Sequence, residues 1–113
     1  MGKASRDKGV RGEAELARIL RGHGFDSHRT AQHCGRSGDA ADITLSGIHV
    51  EVKRTEQLSL YKAMAQAKSD NKKHKIPVVF HRRNNCEWLV VMTLEDWVGF
   101  YRESGLLDQE GGE

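Results

Sequence analysis

The 113-residue chain is poor in the residues that mark a secreted, membrane-bound or disulfide-stabilised protein. It has one proline and two cysteines, and no apolar run approaches the ~20 residues that a membrane-spanning helix needs. Neither cysteine belongs to a C-x2-C pair of the kind that holds zinc, and no apolar secretory segment follows the charged N-terminus. We therefore expect a soluble cytoplasmic protein with free thiols and no membrane partner.

Charge is divided unevenly along the chain. Residues 1–83 carry 17 Lys and Arg against 9 Asp and Glu, a balance of +8, whereas residues 84–113 have a balance of -6. A basic N-terminal two-thirds suits a polyanionic partner such as nucleic acid. A solvated surface with an acidic tail would have the same charge pattern, so charge alone does not identify the partner.

The hydropathy pattern predicts eight elements in the order α-β-β-β-α-β-β-α, which implies an α/β fold with a central mixed sheet flanked by helices. Helices are predicted over 7–22, 60–70 and 94–104, and strands over 25–30, 43–45, 48–52, 76–81 and 88–93. Because a chain this short buries a single core, we predict one domain over residues 1–107. Residues 108–113 form an acidic tail predicted to be disordered, and the glycine-punctuated stretch 31–39 predicts a mobile loop.

The two strands around Ser46-Gly47 predict a hairpin with two unlike faces. With the turn at these residues, Asp42 lies opposite Glu51. Like charges so placed are about 4.5–5.5 Å apart at Cβ and destabilise the pair. Either Lys53, on the same face, or a divalent cation such as Mg²⁺ could compensate. The predicted apolar face holds Ile43, Leu45, Ile48, Val50 and Val52, and the polar face holds Asp42, Thr44, His49, Glu51 and Lys53.

The first helix contributes a further acid to this inventory. Glu13 shares a stripe with Leu16 and Leu20, so its side chain is predicted to face inward, where a carboxylate needs a partner or a metal. Glu15 falls off that stripe and is predicted to be a surface ion-pair partner.

Together, Lys8-Gly9-x3-Glu13, Asp42 at a strand start and Glu51-Val52-Lys53 on the next strand resemble the PD-(D/E)XK nuclease superfamily. Within it, the chain is most similar to archaeal-type Holliday junction resolvases and their phage-borne relatives, over residues 8–82. The resemblance implies a restriction-endonuclease-like domain that hydrolyses DNA phosphodiester bonds with Mg²⁺, for which Mn²⁺ could substitute. It also implies branched DNA as substrate and a homodimer.

The resemblance assigns roles to individual residues. Glu13, Asp42, Glu51 and Lys53 would be catalytic; Asp42, Glu51, the Val52 carbonyl and Glu13 would hold the metal, and Lys53 would orient or activate water. The number of metal ions stays open. The family often has proline before its first acid, where this chain has Ala41, so Asp39 competes with Asp42 for that position.

Other polar residues are candidates for binding DNA or for the edge of the site. Gln66 is a candidate site edge, with Lys62 and Tyr61 as rivals, and His49 is predicted to be a surface histidine near the turn. A nuclease of other selectivity (nicking, flap or restriction-type) and a non-catalytic DNA-binding module remain alternatives. The predicted nucleic-acid contacts are Lys8, Arg11, Arg29, Arg36, Arg54, Lys62, Arg82 and Arg83.

Overall fold

A computed structural model describes residues 2–30 and 41–111 of the chain. The predicted loop over 31–39, together with Arg36 and Asp39, lies outside the described residues. The described elements, in chain order, are α1 (Gly2–Gly22), β1 (Ile48–Arg54), α2 (Leu60–Asp70), β2 (Ile76–Arg82), β3 (Leu89–Val91), α3 (Leu94–Glu103) and α4 (Leu106–Gly111).

The three strands form a mixed sheet in the order β1-β2-β3, as expected for the α/β class. β1 and β2 are parallel, from Ile48 beside Ile76 to Arg54 beside Arg82, and α2 connects them. β3 pairs antiparallel with β2, with Val79 beside Val91. Parallel strands need such a crossover connection, and an α-helix is its usual form.

Two predicted strands are wrong as strands, although their pairing is partly retained. Residues 25–30 and 43–45 contribute only the isolated bridges Arg29–Ile43 and Ile43–Val50. The second bridge has the register that the hairpin predicts. Side chains interrupt the ladder on this side, because the Ser27 hydroxyl donates to the Thr44 carbonyl at 2.7 Å and the Thr44 hydroxyl accepts from the His28 N–H at 3.0 Å.

Helices cover both faces of the sheet. On one face Leu16 and Ala17 of α1 pack with Ile43, Val50 and neighbouring apolar side chains of β1 and β2. On the other face Ala63, Met64 and Ala67 of α2 pack against Val79. Alternate side chains of a strand point to opposite faces, so the even-numbered residues of β1 face α1 and the odd-numbered residues face α2. The predicted core role of Ile43, Val50 and Val52 is confirmed.

The C-terminal part of the chain differs most from expectation. Thr93 caps α3, its hydroxyl accepting from the Asp96 N–H at 3.2 Å, but α3 has no buried residue, and Trp97 is 49% exposed. The tail predicted to begin at residue 108 is helical as far as Gly111, within α4. No helix among the described residues combines the length and apolarity that crossing a membrane requires.

Candidate active site

Asp42 lies six residues before β1, and its carbonyl accepts a 3.1 Å hydrogen bond from the Thr30 N–H. Its Oδ2 accepts a 2.7 Å hydrogen bond from the Val52 N–H, which fixes the carboxylate against the middle of β1. Burial, and then the negative charge of Glu51, raise the pKa of Asp42 from 3.8 to about 7, against the opposing effect of the Val52 N–H. The site therefore holds Asp42 in an environment that disfavours its charged form.

Glu51 is on β1, on the sheet face that α2 covers, and it is only 4% exposed. The Lys53 Nζ lies 3.3 Å from its Oε2 and also donates to the Gln66 Oε1 at 3.3 Å. Burial raises the pKa of Glu51, and the Lys53 charge opposes that rise. Lys53 thus links a buried carboxylate of β1 to Gln66 of α2, the candidate residue for the site edge.

Glu13 reaches the same region from α1, and its inward placement agrees with the helical stripe. Its side chain is 14% exposed, and its Oε1 accepts from the Arg29 Nε at 3.1 Å. The Glu13 charge contributes to raising the pKa of both Asp42 and Glu51. The charges of Glu13, Asp42 and Glu51 therefore interact with one another. Arg29 lies beside Glu13, and Lys53 lies beside Glu51.

The donor set suits a hard cation, because Mg²⁺ prefers carboxylate oxygens and water to nitrogen or sulfur ligands. Within residues 2–30 and 41–111, however, no three His, Cys, Asp or Glu side chains are close enough to bind one ion together. Asp42 and Glu51, whose charges interact, are the candidate carboxylate ligands, to which a backbone carbonyl such as that of Val52 could be added. Glu13, also predicted as a ligand, forms no three-acid group with them. Val52 itself is 8% exposed, with its side chain in the core.

A cleft of about 650 Å³ opens beside Lys53, between the end of β1 and the start of α2. Lys62 and Gln66 line it together with Lys53, and Tyr61, the other rival for this edge, is 89% exposed. The Lys53 side chain, 29% exposed, is therefore open to solvent beside this cleft. Of the predicted nucleic-acid contacts within residues 2–30 and 41–111, Lys62 is the one that lines this cleft.

Most of the other predicted cationic contacts gather on the α1 side of β1. Lys8, Arg11 and Arg54 line one pocket, and Arg29 lies apart, beside Glu13. Arg82 donates from its Nη1 to both Glu15 carboxylate oxygens, at 2.8 and 2.9 Å, while Arg83 is exposed. Glu15 is thus an ion-pair partner, as predicted.

The prediction for His49 is wrong, since its side chain is 1% exposed. It lies on the odd-numbered face of β1, and α2 covers that face. Sequence reasoning also missed Asp70, whose charge contributes to raising the pKa of Glu51. Asp70 follows Gln66 by four residues on α2, so helical spacing placed it on the same side and could have indicated it.

Compared with models of known protein families and with curated protein sequences, the chain matches none of them. A functional assignment therefore depends on the geometry of these residues.

Proposed function

We propose that this protein is a metal-dependent DNA endonuclease with a restriction-endonuclease-like fold that hydrolyses phosphodiester bonds, selectively at branched DNA such as a Holliday junction. One observation carries the proposal. Asp42 and Glu51, brought together from two adjacent backbone segments, are both held in surroundings that raise their pKa, with Lys53 3.3 Å from Glu51.

This arrangement destabilises the fold, which supports a functional reading. A carboxylate that is desolvated and placed near a like charge raises the free energy of the folded state whenever it is ionised. Glu51 and Glu13 each have a cation within 3.3 Å, Lys53 and Arg29 respectively, whereas the pKa of Asp42 is raised to about 7. Perturbed acids of this kind cluster at functional sites.

Each residue of the candidate site would have a separate role in hydrolysis. Asp42 and Glu51, with the Val52 carbonyl, would hold Mg²⁺ or Mn²⁺, which when bound would polarise the phosphate and lower the pKa of water. Lys53 would orient the attacking water through an ammonium group already held by Glu51 and Gln66. Glu13 would add a third negative charge to those of Asp42 and Glu51, and its ion pair with Arg29 would hold the Glu13 carboxylate in place.

We further propose that two copies of the chain pair through its C-terminal part, as a symmetric incision of two strands would require. Apolar side chains there are 44% to 76% exposed: Val90, Leu94, Trp97, Phe100 and Leu106. Taking about 150 Å² for each fully exposed side chain, the lower end of the aromatic range, these five expose on the order of 400 Å². That is about half of the ~800 Å² that each partner buries in a standard interface.

A cleavage assay tests the proposed nuclease activity. Labelled four-way junction, linear duplex, flap and single-stranded DNA are incubated with Mg²⁺ or with EDTA, using wild type, Lys53→Ala and the exposed-lysine control Lys72→Ala. We expect Mg²⁺-dependent cutting of the junction by wild type and the control, and none by Lys53→Ala. Cutting of another substrate would support the proposed hydrolysis but contradict the selectivity for branched DNA. Binding without any cutting would favour a non-catalytic DNA-binding module.

A further inference from the structure

One face of α1 lies directly on the end of β1, on the side of the sheet away from Lys53. Lys8, Arg11, Gly12 and Glu15 are spaced i, i+3, i+4 and i+7 and line a pocket of about 330 Å³ with Arg54 and Asn84. The helix can approach so closely because Gly12 has no side chain: a Cβ there would be 2.6 Å from the Arg54 Cβ. Gly12 therefore brings the cations of α1 next to Arg54.

Two acids border this pocket: the Glu15 Oε1 lies 3.9 Å from the Arg54 Nε, and one oxygen of Glu56 sits among the donors. The Glu56 Oε2 accepts a 2.7 Å hydrogen bond from the Asn84 N–H, and it lies 3.5 Å from the Lys8 Nζ and 4.0 Å from the Arg54 Nη1. Arg54 also donates to the Asn84 Oδ1 at 2.9 Å, which holds its guanidinium in place. The Asn84 N–H, and to a smaller extent Lys8, lower the pKa of Glu56.

The donors converge from three separate parts of the fold: α1, the end of β1 and the turn after β2. An ammonium, a guanidinium and a backbone N–H are the groups that proteins use to bind phosphate oxygens. Glu56 itself belongs to a bend between β1 and α2, outside regular structure, and its side chain is 49% exposed. It can therefore leave the donors without disrupting a helix or a strand.

We infer that Lys8, Arg54 and the Asn84 N–H form a binding site for a backbone phosphate of DNA, and that Glu56 occupies this site until the phosphate displaces it. The inference rests on the proposed action on DNA. Arg54 follows Glu51 by three residues, about 10 Å along a strand. Because alternate residues of a strand point to opposite faces, the phosphate bound by Arg54 would be a different one from the phosphate that is cut.

Occupation of the phosphate site by Glu56 should weaken DNA binding by a measurable amount. A carboxylate that must leave first weakens the apparent affinity, because only the open fraction of the protein offers the donors. Removing its charge while keeping an acceptor for the Asn84 N–H, as Glu56→Gln does, should tighten DNA binding about 3- to 10-fold at low salt. A phosphate contact contributes a slope of about −0.9 to log K against log salt, so the slope should steepen by up to about that amount.

The experiment measures binding as the fluorescence anisotropy of a labelled duplex and of a labelled four-way junction, at NaCl concentrations between about 50 and 200 mM. EDTA is present throughout to prevent metal-dependent cutting. The variants are Glu56→Gln, Lys8→Gln, the double variant and Glu103→Gln, which removes one exposed acid from α3 and so controls for net charge. Inorganic phosphate provides a second probe, read as a shift in the melting temperature of wild type and Glu56→Gln.

We expect tighter binding and a steeper salt slope for Glu56→Gln alone, loss of most of that gain in the double variant, and a larger phosphate-induced shift in Glu56→Gln than in wild type. Equal effects of Glu56→Gln and Glu103→Gln would overturn the inference, because net charge alone would then explain them. That result leaves the nuclease proposal intact if wild type still cuts DNA, whereas failure of wild type to bind any DNA would overturn both.

Discussion

Replacing Asp42 with asparagine should stabilise the protein at alkaline pH. Asparagine keeps an oxygen that can accept from the Val52 N–H, the 2.7 Å hydrogen bond that Asp42 makes, but it removes the charge that burial and Glu51 disfavour. The structural cause of the gain is therefore electrostatic, and the hydrogen bonding of β1 is retained.

The size of the stabilisation by Asp42→Asn and the pH range in which it applies follow from the raised pKa of Asp42, which changes from 3.8 to about 7 on folding. A difference of about three pKa units corresponds to an upper value of about 4 kcal/mol at 1.36 kcal/mol per unit, and solvent screening reduces this to about 2–4 kcal/mol. Because the folded pKa is the higher one, the penalty is absent below pH 3.8, grows between pH 3.8 and about 7, and is complete above that.

Urea unfolding at pH 8 and pH 4 in EDTA measures this difference, with Asp26→Asn as the control because the Asp26 side chain is 94% exposed. We expect Asp42→Asn to be more stable than wild type by about 2–4 kcal/mol at pH 8 and nearly equal to it at pH 4, and the control to change by less than about 0.5 kcal/mol. Equal or lower stability of Asp42→Asn at pH 8 would refute the electrostatic account.

Adding Mg²⁺ at pH 8 extends the same experiment to the proposed metal site. At about 100 times its dissociation constant, a ligand that binds only the folded state adds about 2.7 kcal/mol. Wild type should gain this stabilisation and Asp42→Asn should lose most of it, so the variant's advantage should shrink. Equal stabilisation of the two proteins would show that Asp42 does not bind the ion.

The remaining predictions concern other parts of the fold. Gly12→Ala should lower the free energy of unfolding by about 1–3 kcal/mol in urea, because its Cβ would meet Arg54; an unchanged midpoint would contradict the close packing of α1 on β1. Lys53→Ala should abolish cleavage while junction binding in EDTA changes less than threefold, and a parallel loss of binding would instead make Lys53 a DNA contact. Leu94→Glu, at a side chain 76% exposed, should convert the proposed dimer to monomer in sedimentation without lowering the monomer's melting temperature; a wild type that sediments as a monomer at high concentration would remove the dimer.

The hairpin shows how far local sequence can predict a site. A turn at Ser46-Gly47 is enough to place Ile43 beside Val50, and the structure has that bridge, with Gly47 at φ 78°, a backbone conformation that glycine adopts readily. The same counting brings Asp42 opposite Glu51. Strand alternation and turn position are properties of neighbouring residues, so no knowledge of the remaining fold is needed.

The limits of such counting are visible at His49 and Arg54. Alternation correctly puts His49 on the polar face of β1, but whether that face meets water depends on α2, which crosses over it to join β2. Likewise, Arg54 reads as a free cation in the sequence, whereas in the fold it lies between Glu15, Glu56 and Asn84.

The sequence by itself determined the α/β class, the alternating faces of β1, the inward position of Glu13 and the acids and lysine of the candidate site, because these follow from periodicities of two and 3.6 residues. Only the tertiary structure decided which partners they have: Arg29 for Glu13, Gln66 for Lys53, and Arg82 for Glu15 across 67 residues of chain. Such pairs depend on how helices cross the sheet, and that is set by packing of the whole core.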